Sequence, residues 1–269
     1  MAAGKLKKVC VFGDGAMGRS LQAAARSAGL QVSAVFTGDD IRSGRPRKKG
    51  DLKGADVGID FSGSGAVLQN VRRAVGLGLP MVEGTTGWSS HLPDVEAAVL
   101  NGEGALLYAP NFSFGMNVLV HIVEQAADLF ETAPEYDPFV LEHHHRGKAD
   151  SPSGTALRLS EILLERMSGK NLVQTSTGGE IAPNQLSLAS VRAGSEPGRH
   201  EVGFDGPYES IRFRHAARER AVFGHGALRA ADWLLGREGV YTMRDVMGDL
   251  LEEARLARVS KEREEQHEG

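Results

Sequence analysis

The stretch that decides the fold is Val9-Cys10-Val11-Phe12-Gly13-Asp14-Gly15-Ala16-Met17-Gly18. A short apolar run ends in three glycines spaced GxGxxG. A helical pattern then carries Met17, Leu21, Ala24 and Ala25 on one face and closes at Gly29. A second apolar run, 32–36, follows. The period switches from buried strand to amphipathic helix and back, which predicts β-α-β. In that context Gly13 allows a sharp turn, Gly15 lets a pyrophosphate approach the backbone, and Gly18 permits close helix–strand packing. The helix start adds free N–H groups and a positive dipole end for phosphates. Asp14, Ala16 and Met17 complete the loop, and all six positions are candidate dinucleotide ligands. A glycine-rich chain produces such spacing by chance, so the flanking strand and helix are what give the motif its meaning.

Outward from this motif, strand-like runs recur at 57–61, 80–82 and 105–108, separated by helical stretches at 66–75 and 93–100. Such alternation implies an α/β fold, a doubly wound parallel sheet covered on both faces. After Pro110 the pattern changes. A long helix is expected from a cap at Ser113 to about Phe130, then a strand at 139–142 and a helix over 153–167. Short strands fill 184–223. In the last, Ile211 and Phe213 alternate with Arg212 and Arg214, an antiparallel signature. Two closing helices are expected at 226–235 and 243–257, with a frayed charged tail. The division read from this is a dinucleotide-binding domain over 1–112 and 221–269. A second, α+β domain with a mixed or antiparallel open sheet spans 113–220, for substrate binding and oligomerisation.

The 269 residues can bury the cores of two domains. Composition is 41% hydrophobic and 25% charged with 34 glycines, and the net charge of -4 makes nucleic acid a poor partner. The single cysteine, Cys10, sits in an apolar run and reads as a buried, inert thiol fitting a reducing compartment. No stretch approaches the ~20 apolar residues of a membrane span. The N-terminal apolar run enters the strand–turn motif directly, so no signal peptide is read and a cytoplasmic location is expected.

Three further places carry chemistry. The acid that usually ends the second strand and binds the ribose is replaced by Thr37-Gly38, with Asp39 and Asp40 just beyond. A basic loop follows (Arg42, Arg45, Arg47, Lys48, Lys49, Lys53). A hydroxyl beside such a loop could accept a 2′-phosphate, which suggests NADPH, alone or alongside NADH; the plain alternative is a solvated, mobile connection. Gly84-Thr85-Thr86-Gly87 and Ala109-Pro110-Asn111-Phe112 each follow a buried strand, at the sheet edge where doubly wound folds bind ligands. The densest segment runs from Glu142 through His143, His144, His145, Arg146 and Lys148 to Ser153-Gly154-Thr155. Consecutive histidines on a strand face opposite ways, so no metal is expected. Positive charge and proton donors beside a helix start instead suit a carboxylate and acid catalysis. A solvated polar loop is the remaining reading.

With these blocks in order, the chain resembles the dihydrodipicolinate reductase (4-hydroxy-tetrahydrodipicolinate reductase) family. The most specific match is HHR-x-K-x-D-x-PSGTA at 144–156. IDFS at 59–62, GTTG at 84–87, APNFSFGMN at 109–117 and the return segment at 214–234 support it. The resemblance implies hydride transfer from NADPH or NADH to a cyclic, unsaturated dicarboxylate, giving tetrahydrodipicolinate on the diaminopimelate route to lysine. It implies His144 as proton donor with Lys148 as its catalytic partner, and His145, Lys148, Ser153, Gly154 and Thr155 as substrate ligands. Phe61, Gly84, Thr85, Thr86, Ala109, Pro110, Asn111, Phe112 and Arg220 would join Thr37 and the glycine loop around the dinucleotide. A homotetramer built by sheets of the second domain and a hinge closure between domains are also implied. The chain departs from the family pattern in a glycine loop one residue shorter, in Gly147 for a histidine, in Thr37 for an acid, and in a shortened loop after the second strand. The rivals are a reductase of another small carboxylate, a nicotinamide-sensing regulator and a zinc protein.

Overall fold

The computed structural model describes residues 6–175 and 179–267, which divide into two compact units: residues up to Phe112 with those from Phe223, and Ser113–Val222.

In the first unit the apolar runs form β1 (Lys8–Phe12), β2 (Gln31–Phe36), β3 (Val57–Asp60), β4 (Met81–Glu83) and β5 (Ala105–Tyr108). They alternate with helices α1 (Ala16–Ser27), α2 (Gly38–Arg42), α3 (Val67–Gly76) and α4 (Leu92–Asn101). With β11 (Gly239–Thr242) they make one parallel sheet in the order β11-β5-β4-β3-β1-β2. Alternate side chains enter two separate cores, which is why the strands read as unbroken apolar runs. Val9, Val11, Ile59 and Leu107 pack with Leu21 of α1 and with Ala227, Leu234 and Val246 of the returning chain. Cys10, Phe12, Met81 and Leu106 pack with Val71 of α3 and Val99 of α4. Cys10 is fully buried, and burial pushes its thiol up to about 12, so it is inert.

The second unit holds α5 (Phe114–Phe130), capped by the Ser113 hydroxyl, then β6 (Asp137–His144), α6 (Gly154–Arg166) and strands β7 (Leu172–Gln174), β8 (Gln185–Arg192), β9 (Arg199–Asp205) and β10 (Ser210–Ala216). The sheet order is β10-β9-β6-β8-β7. Helices α5 and α6 bury one face through Leu119, Val123, Leu159 and Ile162 against Val140, Leu188, Val202 and Phe204. Residues 138, 140, 142 and 144 of β6 are the buried set. Two of them, Glu142 and His144, are therefore polar groups on the covered face.

Helices α7 (Ala221–Leu234) and α8 (Met243–His267) follow. The second sheet is mixed, within what was expected: β9 is antiparallel to β6 and β10, whereas β8 runs parallel to β6 and β7. A crossover through α6 makes this possible. Several local expectations are corrected. The short strands β7 and β11 were not anticipated, being only 3 and 4 residues with no alternation to read. The charged tail continues α8 as far as His267 because Glu, Arg and Lys are good helix formers. The basic loop is partly structured, with Ile41 and Leu52 buried and Arg42 and Arg45 paired to Asp39 and Asp40.

Tight backbone approach limits one position especially. A Cβ on Gly226 would sit 1.7 Å from the Phe112 carbonyl oxygen, within the first unit. Gly226→Ala is expected to cost at least ~2 kcal/mol and to lower the thermal midpoint by several degrees; a midpoint within ~1 °C of the parent would contradict this packing.

Candidate active site

In the second unit the site is built on one rung of the sheet. Glu142 of β6 lies in register with Ser190 of β8 on one side and His200 of β9 on the other, so all three side chains share the covered face. One carboxylate oxygen of Glu142, Oε1, accepts from Ser190 Oγ at 2.7 Å, from Arg192 Nη2 at 2.8 Å and from the Ser153 backbone N–H at 2.9 Å. The other, Oε2, lies 2.9 Å from Nδ1 of His144, and among the described residues neither of these atoms has another hydrogen-bond partner. Burial alone would raise the Glu142 carboxyl, but bonds from His144, Ser153, Ser190 and Arg192 hold it well below the usual carboxylate range. It is a fixed anion.

Ser153 caps α6, its hydroxyl accepting from the Ala156 N–H at 3.3 Å and lying 3.1 Å from Nε2 of His200. Burial first, and then the charge of His144, lowers the His200 pKa to about 4. His200 is neutral at physiological pH, so its Nε2 can accept the Ser153 hydroxyl proton. The rings of His144 and His200 stand edge to face, 5.0 Å between centroids. Beyond β6, Lys148 Nζ reaches Asp150 Oδ1 at 2.7 Å, and Arg192 Nη2 donates to the Asp150 carbonyl at 2.6 Å. Lys148 is thereby linked through Asp150 and Arg192 to Glu142.

Among the residues expected at a substrate site, His144, Lys148 and Ser153 join this network, and Gly154 and Thr155 form the helix start beside it. A Cβ on Gly154 would meet open space. His145 is half-buried, bonded through its backbone to Glu196, with its ring beside Gly147 and not in the Glu142 cluster. His143 faces the other side of the sheet and contacts the Ala193 carbonyl. Glu142, His144 and His200 offer ligand atoms within 4.8 Å of one another. Yet Oε1 is saturated by three donors and Arg192 supplies the opposing charge, so the cluster reads as an acid–imidazole pair. Sequence reasoning assigned no role to Glu142, Ser190, Arg192 or His200. Period-2 spacing from His144 points to Glu142; the other three follow only from strand register.

In the first unit, Gly13 has φ +96°, donates to the Phe36 carbonyl at 2.8 Å, and leaves no room for a Cβ beside the Phe61 carbonyl at 2.6 Å. A Cβ on Gly18 would lie 2.0 Å from the Gly13 oxygen, whereas one on Gly15 would point into open space at the start of α1. That opening lies at the position expected from the sequence for a pyrophosphate. Asp14, Ala16 and Met17 complete the turn and first helical residues. Phe61 packs edge-on against Phe112 at 6.2 Å, beneath Gly84. Thr85 donates its N–H to Glu83 Oε1 at 2.6 Å, and its own buried hydroxyl, beside Thr86, makes no hydrogen bond of good geometry among the described residues. Burial and then the Asp60 charge push the Glu83 carboxyl well above its ordinary range. Ala109 donates to the Glu83 carbonyl, with Pro110 and Asn111 following at the sheet edge.

Thr37 shows a difference. It caps α2, and Asp40 folds back so that its Oδ2 accepts from both the Thr37 N–H and hydroxyl at 3.0 Å while Oδ1 holds Arg45 at 2.8 Å. The expectation that no carboxylate stands at the end of β2 is corrected by this capping box. Arg220 is exposed in the turn before α7 and belongs to the second unit.

A Rossmann-type parallel sheet with a tight glycine turn, together with a mixed-sheet unit holding a buried acid–imidazole pair at a helix start, defines a two-unit oxidoreductase. The profile described as "Dihydrodipicolinate reductase, N-terminus" matches residues 7–112, and "Dihydrodipicolinate reductase, C-terminus" matches 115–247. The 4-hydroxy-tetrahydrodipicolinate reductase of Methanosarcina mazei is 40% identical over 198 residues, 72% of this chain and 73% of that one. That of Methanoculleus marisnigri is 38% identical over 197 residues, 73% and 77% of the two chains. A dipicolinate-bound dihydrodipicolinate reductase from Paenisporosarcina sp. TG-14 shares the fold at TM-score 0.70 and 18% identity, covering 88% of this chain and 97% of the other. The chain belongs to the dihydrodipicolinate reductase family and is an enzyme. Among the described residues, no helix is long and apolar enough to cross a membrane.

His200 gives the second unit a pH signature. Its folded pKa lies below the unfolded value of 6.5, so its contribution is intact above pH 6.5 and is lost as pH falls towards 4. The drop is worth about 3 kcal/mol. Chemical denaturation of the parent and of His200→Gln should diverge across that window; parallel curves would refute the buried neutral imidazole.

Proposed function

We propose that this enzyme reduces the ring of a cyclic, unsaturated dicarboxylate with NADPH or NADH, giving tetrahydrodipicolinate in lysine biosynthesis through diaminopimelate. The observation that carries the reading is the Glu142–His144 pair set beside the α6 helix start. Reduced nicotinamide, when bound, supplies the hydride. The first unit binds it, with Gly13 to Gly18 on the pyrophosphate, Thr37 at the ribose, and Phe61, Gly84 to Thr86 and Ala109 to Phe112 along the sheet edge; Arg220 is assigned to the dinucleotide by the family resemblance alone. The openness at Gly15 suits that assignment.

The second unit binds the substrate. Ser153, Gly154 and Thr155 present the first turn of α6, the positive end of its dipole, to one carboxylate. His145 and Lys148 provide donors and positive charge for the dicarboxylate. His144 delivers the proton that completes the reduction, and Lys148 acts with it, its ammonium kept in place by Asp150.

Asp40 at the end of β2 favours a ribose hydroxyl, while Arg42 and Arg45 beside it favour a 2′-phosphate. The site is therefore read as accepting both dinucleotides. The sheet face opposite α5 and α6, with half-buried Phe139 and Leu141 and exposed Val191, suits assembly into a homotetramer. The lone cysteine suits a cytoplasmic enzyme.

His144→Ala tests the role directly. With the coupled synthase product as substrate, kcat should fall ~10²-fold or more while KM changes little; an unchanged kcat would remove His144 from the chemistry. Thr155→Val should raise KM for the dicarboxylate and leave dinucleotide affinity intact, and the reverse pattern would mean the two sites are exchanged. Values of kcat/KM for NADPH and NADH should lie within about a hundredfold of each other. A larger gap would contradict dual use.

A further inference from the structure

We infer that Glu142 is the positioning residue of the reaction: its carboxylate fixes the ring orientation and tautomer of His144 and supplies the counter-charge for the imidazolium that donates the proton. The inference rests on His144 being the donor. Two observations and one chemical consequence carry it. Oε2 of Glu142 and Nδ1 of His144 lie 2.9 Å apart, and among the described residues neither atom is hydrogen-bonded to any other group. A proton on Nδ1 facing a carboxylate leaves Nε2 as the atom that gains and gives the catalytic proton, because the second nitrogen of the ring is set by the bond the first one makes. Oε1 is clamped by three donors from two elements, Ser190 and Arg192 of β8 and the Ser153 N–H at the head of α6. The carboxylate therefore cannot swing away, and it ties the proton donor to the helix start that takes the substrate carboxylate.

The charged and titratable groups around His144 among the described residues are one anion set against cations and imidazoles. Glu142 on β6 is the anion. Arg192 on β8 balances it from the far oxygen, His200 on β9 stands edge-on to the ring, and His215 on β10 and Lys148 in the following loop act on His200 from further away. Burial first, and then the charge of His144, lowers the pKa of His200, which stands beside the Glu142–His144 contact as a neutral ring. Removing the Glu142 charge while keeping its shape leaves His144 between Arg192, Lys148 and His200 with nothing to stabilise its charged form.

Glu142→Gln, measured beside His144→Ala across pH 6 to 10, tests this. In the parent, kcat should fall at high pH as His144 loses its proton, and that falling limb should be absent in His144→Ala. In Glu142→Gln the limb should move to lower pH by about one unit, with a roughly tenfold loss of kcat on the limb and a small change in KM. Glu142→Asp, which retains the charge, should leave the limb near its parent position. A limb that His144→Ala does not remove overturns the donor assignment, and this inference with it. A limb that belongs to His144 but stays put in Glu142→Gln overturns the inference alone. Should Glu142→Gln fail to fold, 15N spectra of the histidine rings in the parent decide: neutral His144 protonated at Nδ1 supports the role, and neutral His144 protonated at Nε2 overturns it.

Discussion

A buried carboxylate with both oxygens engaged is the constraint on which the second unit turns. Glu142 is fully buried, and an anion there persists only because Ser190, Arg192, Ser153 and His144 surround it. Stripping one partner from a buried ion cluster typically costs ~3–5 kcal/mol, more than its intact presence adds. The arrangement is therefore weak as a source of stability and strong as a source of uniqueness. It admits one register of β8 and β9 against β6 and one placement of α6. That single placement sets an imidazole, a helix start and a lysine loop around the same few atoms.

The first unit depends on a different constraint, close approach of backbone to backbone. Gly13 meets the Phe61 carbonyl and Gly18 meets the Gly13 carbonyl, so the turn between β1 and α1 is compressed against the sheet and leaves Gly15 facing outward. The same edge gathers Phe61, the Thr85 loop and Phe112. Beneath them the adjacent Asp60 and Glu83 are fully buried, and burial raises the pKa of both, so the edge sits on a pair of carboxyls poorly disposed to ionise together. Glu83 uses one oxygen to fix the Thr85 N–H, which makes the loop's position a consequence of that pair.

Much of this was legible in the chain. The β-α-β unit around Gly13 and the sequence of apolar runs to Tyr108 follow from period and glycine placement, and the cap at Ser113 was readable from residue type alone. What escaped shares a physical cause. Ser190, Arg192 and His200 are brought to Glu142 by pairing between strands far apart in sequence, and nothing local to those residues announces it. The parallel setting of β8 on β6 depends on where the chain crosses over, not on the alternation of β8 itself. Asp40 reached the end of β2 because a five-residue helix with a capping box turned it back, a feature too short for periodicity to reveal. Glu142 was the exception: it stands two residues before His144 on a strand, and alternation places both on one face.

The central claim is that a dicarboxylate binds where the Glu142-held imidazole meets the α6 helix start. Titration of the full-length, 15N-labelled protein with dipicolinate tests it most directly. The account predicts that the His144 ring and the Gly154 and Thr155 amides shift together along one binding curve. Calorimetric binding of dipicolinate with all three signals unmoved would contradict it.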